Sequence, residues 1–220
     1  MLSGIVGSGR TELGRAMFGI DRIYGGHFEY KGGRFVPTHT SQSIARGIFL
    51  VPEDRKASGL FIDMPIVENI SLPNLMQYAV GFFVKRSSEM AVAEVQSGSL
   101  GIKARNVMTI AGTLSGGNQQ KVVLAKWLAL APRVMIFDEP TRGIDIGAKS
   151  EVYRLMRDLA NNGVAVLMIS SDMEEVIGVS DRIAVMHEGQ ISGILSRNEF
   201  NEENVLMLAV GKKIKKREGP

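Results

Sequence analysis

Three uninterrupted apolar runs limit what this chain can fold into more than any other feature: IFLV at 48–51, VMIF at 134–137 and VAVLMI at 164–169. A strand with one wet face alternates apolar and polar residues, whereas a strand covered on both faces reads as a continuous apolar run. The segments beside these runs have helical periodicity. Asn118 to Leu130 is apolar on most sides, and Ala148 to Asn161 places Val152, Leu155, Met156 and Leu159 on one face, with Gly163 as a stop. Covered strands alternating with helices give an α/β fold on a mainly parallel sheet with helices on both faces. Ligands of such sheets gather beyond the carboxyl ends of the strands. Those ends are Gly4–Thr11, Asp138–Glu139 and Ser170–Ser171.

The remaining pattern fills in around this sheet. Thr11 to Gly19 reads as a helix, His27 to Val36 as a hairpin turning at Gly32-Gly33, and Thr40 to Arg46 as a short helix. Between Asp54 and Gly112 the periodicity loosens, with Pro65 and Pro73 punctuating apolar pieces and one helical segment, Ser88 to Val95. Ser171 with Glu174 and Ser196 with Glu199 have the spacing of capping boxes, the second opening a last helix, and a second hairpin turns at Glu188-Gly189. The expected organisation is a core from 1–53 and 132–210, a small helical subdomain over 54–131, and a basic tail at 211–220.

That tail holds five Lys or Arg against one Glu, and the whole chain is only +3, so the body is close to neutral. A nucleic-acid binder carries positive charge as a patch on its fold. Nucleic acid is therefore not an expected partner, and the tail reads as a solvated segment. The absence of cysteine excludes disulfides and thiolate metal sites. No run reaches 18 apolar residues.

GIVGSGRT, Gly4 to Thr11, has the spacing of a phosphate-binding loop with arginine in the lysine position. Glycines let successive amides curve around phosphate oxygens at the positive end of the next helix. Gly4, Gly7, Ser8, Gly9, Arg10, Thr11 and Glu12 are the candidates here, Thr11 supplying a hydroxyl to Mg²⁺. Arginine keeps the charge but replaces a compact ammonium with a wide planar fork. In VMIFDEP, Asp138 has the place of a Mg²⁺ carboxylate and Glu139 that of the group orienting or deprotonating a water. LSGGNQQK adds a second set of exposed amides at a helix start, from Leu114, Ser115, Gly116 and Gly117, with Gln119 following. A single domain with its own phosphate loop has no need of a second cradle; a partner's nucleotide does.

These motifs in this order, with Asp145 in TRGID, resemble the ATP-binding cassette (ABC) ATPases over nearly the whole chain. GSGRTEL, VPEDRK, ENISLP and LSGGNQQKVVLAKWL are similar to the C-terminal cassette of the double-cassette ATPases of bacterial ribose, galactose and xylose importers. The resemblance implies a P-loop NTPase of RecA-like architecture, with ATP and Mg²⁺ as cofactors. It implies head-to-tail pairing with a second ABC cassette, Asp145 lying in the pairing loop. It also implies docking onto membrane permease subunits at the cytoplasmic face of the inner membrane, and indirect service to a substrate-binding protein.

Departures from the family shape the expected activity. Glu53 stands where a glutamine usually senses Mg²⁺ and permease, and Ser171 where a histidine usually meets the γ-phosphate; His27, His39 and His187 fall in or beside hairpins or loops. With Arg10, these changes predict a site that binds ATP but hydrolyses it poorly, beside an intact signature serving a partner. Only Met1, Leu2 and Ser3 precede Gly4, so the strand feeding the loop and the adenine-stacking aromatic are expected upstream, in a longer polypeptide with its N-terminal strands truncated here. A non-hydrolysing module that pairs on binding nucleotide is the alternative. A soluble ABC protein of translation or DNA repair fits less well, for want of a basic face and a long insertion.

Overall fold

The computed structural model describes residues 1–80 and 83–214. The tail residues 215–220 lie outside that range. In chain order the elements are β1 (Leu2–Gly4), α1 (Arg10–Phe18), β2 (Phe28–Tyr30), β3 (Gly33–Phe35), α2 (Thr40–Ile44), β4 (Ile48–Val51), α3 (Ile66–Ser71), β5 (Ala79–Val80) and β6 (Phe83–Val84). They continue as α4 (Arg86–Ser99), α5 (Gly116–Leu128), β7 (Val134–Asp138), α6 (Ile146–Asn161), β8 (Ala165–Ile169), α7 (Met173–Val179), β9 (Arg182–His187), β10 (Gln190–Ser196) and α8 (Glu202–Ala209). The chain divides into two compact units: Met1–Leu50 with Val134–Pro140 and Met156–Pro220, and Val51–Arg133 with Thr141–Leu155.

The first unit is built on a sheet in the order β10-β9-β1-β8-β7-β4. β1 runs parallel to both β8 and β9, β7 parallel to β8, and β10 antiparallel to β9. The strand expected to be missing is therefore present: three residues, Leu2–Gly4, all buried, occupy the place beside β8. Met135, Ile136 and Phe137 are fully buried, as a strand covered on both faces requires. Each such side chain contributes roughly 1.5–3 kcal/mol by leaving water. A further cluster of Val176, Ile183, Val185, Leu195, Val205 and Leu208 joins α7 and α8 to β9 and β10.

In the second unit α3 packs against α4 and α5 around Ile66, Val67, Ile70, Ala93, Val122 and Leu124. The loose region is thus more ordered than its pattern suggests. Asn69 explains why: its buried side chain accepts from the Phe61 N–H at 2.8 Å and donates to the Phe61, Met64 and Pro65 carbonyls, replacing a regular element with side-chain bonds. α4 is longer than the Ser88–Val95 expectation and passes through Gly98, which is open on its Cβ side. α5 starts two residues earlier and ends two residues earlier than expected.

Two capping expectations are corrected. α7 is capped by Asp172, whose carboxylate accepts from the Glu174 and Glu175 N–H groups at 3.1 and 3.3 Å, and not by Ser171. β8 ends at Ile169, and the Ser170 hydroxyl after it donates to Glu175 at 2.8 Å. Glu199 does reach back to the Ser196 N–H at 2.8 Å, but that box closes a single 3₁₀ turn; α8 is capped by Asn201, which accepts from Asn204 at 2.7 Å.

Candidate functional site

In the first unit β1 delivers the chain into a glycine-bounded loop. A Cβ on Gly4 would stand 2.4 Å from the Met186 carbonyl oxygen, so only glycine fits between β1 and β9. Gly9 is left-handed at φ 95° and starts α1 with no side-chain cap, leaving first-turn amides to another acceptor. The loop is braced by Ser8 N–H donating to the Ile5 carbonyl at 3.1 Å and by Gly189 N–H donating to the Ser8 carbonyl at 3.0 Å. The Ser8 hydroxyl is buried and has no protein partner, an orphan at the position where an anion would be bound. Glu12 is exposed in the first turn, where its charge suits the helix dipole.

Thr11 and Asp138 come together from α1 and the end of β7, the hydroxyl donating to the carboxylate at 3.2 Å. Burial pushes the Asp138 carboxyl above its usual range; the Thr11 hydrogen bond opposes this, and the neighbouring Glu139 charge adds to it. A buried carboxylate with a raised pKa beside a hydroxyl is suited to a hard cation, which would reverse that shift. Among the described residues no cluster of three or more acidic or His ligands exists. The Thr11–Asp138 pair fits Mg²⁺, which commonly takes one or two carboxylates and completes its shell with substrate phosphates and water.

Arg10 does not lie extended along the loop. It is 7% exposed, its Nη1 donates to the Ser170 carbonyl at 2.6 Å, and its Nη2 is 3.6 Å from Glu139 Oε1. Glu139 itself has a left-handed φ of 44°, held by its N–H on the Ile169 carbonyl at 2.9 Å. The candidate base is thus charge-paired with the arginine that replaces lysine. Ser171 is exposed next to it in sequence, while the arginine is held by Ser170, which the sequence placed at a strand end without a role of its own.

In the second unit Ser115 caps α5, its Oγ accepting from Asn118 N–H at 3.5 Å and Nδ2 at 3.0 Å. Gly116 and Gly117 form the first turn and Leu114 leads into it. Gln119 departs from this group: it is buried and its amide donates to the Ala111 and Gly112 carbonyls at 3.4 Å, bracing the preceding 3₁₀ turn from inside. Asp145 accepts from Ala148 N–H at 2.9 Å ahead of α6. Glu53, expected beside the phosphate loop, forms an ion pair with Arg142 of its own unit. Two residues without an expected role also matter here. Arg55 and Lys126 both bond backbone carbonyls, Lys126 donating to Gly59 at 2.6 Å. No helix of the described residues is long and apolar enough to cross a membrane.

The ABC transporter family profile matches residues 1–142. A ribose import ATP-binding protein of Lactococcus lactis is 50% identical over 95% of this chain, and one of Streptomyces avermitilis is 50% identical over 96%. The chain spans 42% of the length of each of these relatives. Among solved structures, a nucleotide-free ATP-binding cassette of an ABC transporter superposes with a TM-score of 0.80 at 19% identity, covering 96% of this chain and 87% of that one. A dimeric post-hydrolysis cassette bound to ADP and phosphate gives 0.74 at 20% identity, covering 90% and 85%. With a family match over well over half its length and the cassette fold, the chain belongs to the ABC transporter family as an ATP-binding cassette.

Proposed function

We propose that this chain is one ATP-binding cassette of a monosaccharide importer, and that its own phosphate loop binds Mg·ATP while hydrolysing it slowly. The import role is supported by the ribose import relatives. Gly4–Gly9 and the first amides of α1 would hold the phosphates, with Thr11 and Asp138 on the Mg²⁺ that screens their charge. Glu139 would act as base or water-orienting group. Ser115–Gly117 would complete the nucleotide site of a second cassette, with Asp145 at the pairing face. Phe61 and Ile62, 55% and 39% exposed, and Met76, 82% exposed, give the second unit an apolar surface suited to a permease.

One observation carries the slow-turnover reading: Arg10 spends its charge on Glu139 and Ser170, so both the lysine substitute and the candidate base are engaged with each other. The same ion pair favours the second reading, a cassette that pairs on nucleotide without turning it over. Nucleotide binding and turnover by this chain, alone and with its second cassette, separate these readings. Micromolar binding with turnover at least tenfold below that of Arg10→Lys supports the proposal. Fast turnover by the unaltered chain alone overturns it, and absent turnover in Arg10→Lys as well leaves the pairing module.

A further inference from the structure

Two arginines of the second unit reach into each other's segments. Arg142 forms an ion pair with Glu53, and Arg55 returns the contact, its Nη1 donating to the Arg142 carbonyl at 3.3 Å and its Nη2 to the Gly143 carbonyl at 3.5 Å. The segments 53–56 and 142–143 are closed on each other by this reciprocal clasp. It lies directly over the start of α5: a Cβ on Gly116 would be 2.7 Å from Arg55 Nη2 and 3.4 Å from the Gly143 oxygen. Glycine at 116 is required by the clasp as much as by any ligand.

The turn that carries Arg55 is fixed at both ends. Arg55–Gly59 is a π-helical turn, a rare geometry concentrated at functional sites. Asp54 caps it, accepting from the Lys56 and Ala57 N–H groups at 2.9 and 3.0 Å, and Lys126 of α5 holds its far end through the Gly59 carbonyl. The electrostatics of Arg55 are unusual for so constrained a cation. It faces the positive end of a helix, its Nε is buried without a partner, and among the described residues no carboxylate pairs with it. Arg15, Arg86 and Arg157 each have one.

We infer that Arg55 is a positioning residue: it holds the Arg142–Gly143 peptides, and through them the Asp145 start of α6, in register with the Ser115–Gly117 amides. This rests on the reading of those amides as a cradle for a partner's triphosphate. Arg142 already has Glu53, whereas Arg55 meets only carbonyls; a triphosphate seated there supplies the anion that Arg55 lacks, so ligand and clasp reinforce each other. Arg55 acts on turnover at the partner's site and leaves this chain's Gly4–Thr11 loop alone.

The test uses this chain assembled with its second cassette and permease, measuring kcat and KM for ATP, nucleotide binding to this chain's own loop, and the thermal midpoint. Arg55→Gln is expected to lower kcat about tenfold with own-loop binding and midpoint unchanged, and Arg55→Lys to recover only part of it, since an ammonium lacks the fork. Gly116→Ala, whose methyl displaces the guanidinium, should give a similar loss, and the double variant no further loss. If Gly117→Asp abolishes turnover while Arg55→Gln stays within twofold, the inference fails and the cradle reading stands. If Gly117→Asp leaves turnover unchanged, the cradle reading itself fails. A kcat loss that only tracks loss of folded protein in Arg55→Gln, Arg55→Lys and Gly116→Ala also overturns the positioning role.

Discussion

The helices α1 and α5 both open on glycine, yet they open differently. α1 follows a left-handed Gly9 with no side-chain cap and has a buried arginine as its first residue, matched to Glu139. α5 is capped by Ser115 and has an arginine laid over its first residue, matched only to carbonyls. Where a cation is buried against a carboxylate, removing either partner strands a charge. Where it leans on neutral oxygens it can move at small cost. The start of α1 is locked by its own ion pair; the start of α5 is closed by contacts to neutral oxygens that a substitution can displace.

Glycine substitutions are the harshest way to break this comparison. Gly4→Ala forces a methyl group against a backbone carbonyl at 2.4 Å, which cannot yield, and is expected to cost about 3–5 kcal/mol with loss of nucleotide binding. Gly116→Ala meets the far end of a flexible arginine and should change stability by no more than about 1 kcal/mol. Chemical denaturation of both variants decides this; equal costs would remove the distinction between a locked and a yielding end.

Lys126 sharpens it next. Arg10 answers burial with a carboxylate, whereas burial pushes the Lys126 ammonium down to about 8. The unfolded lysine keeps its proton up to about 10.5, so between these values the unfolded state binds more protons and stability rises with pH. The gain is on the order of 2–3 kcal/mol, held down because the Gly59 carbonyl and the Trp127 face, 4.6 Å away, favour the charged form. Denaturation at pH 7.5 and 10.5 measures it, and Lys126→Met should flatten the profile. The smallest effect separates neighbours: Asp172→Ala should cost about 1 kcal/mol and Ser171→Ala less than about 0.5 kcal/mol. A reversed order would return the cap to Ser171.

Much of this was legible in the sequence because burial on both faces leaves an unmistakable trace. VMIF and VAVLMI became β7 and β8 where expected, and the phosphate loop, Asp138 and Glu139 converge at the strand ends. What escaped is set by partners distant in the chain. Ser171 and Asp172 are both capping residue types, and only the use of Ser170 by Arg10 and Glu175 fixes where β8 stops and α7 starts. Gln119 has the polarity of a ligand contact but spends its amide on Ala111 and Gly112. Glu53 and Arg55 sit in a polar turn whose pattern gives no hint of Arg142. β1 was missed for its length: three residues carry too little periodicity to be read, although their neighbours β8 and β9 define the slot.

The bond from the Gly189 N–H to the Ser8 carbonyl has a consequence for biogenesis. Translation makes the Gly4–Thr11 loop before its supports: its flanking strand has no parallel neighbour, and its backbone no brace, until β8, β9 and the turn after them emerge some 180 residues later. The loop is made well ahead of the turn that braces it, so a ribosome stalled between the two leaves a nascent chain that carries the motif without the rigidity to use it.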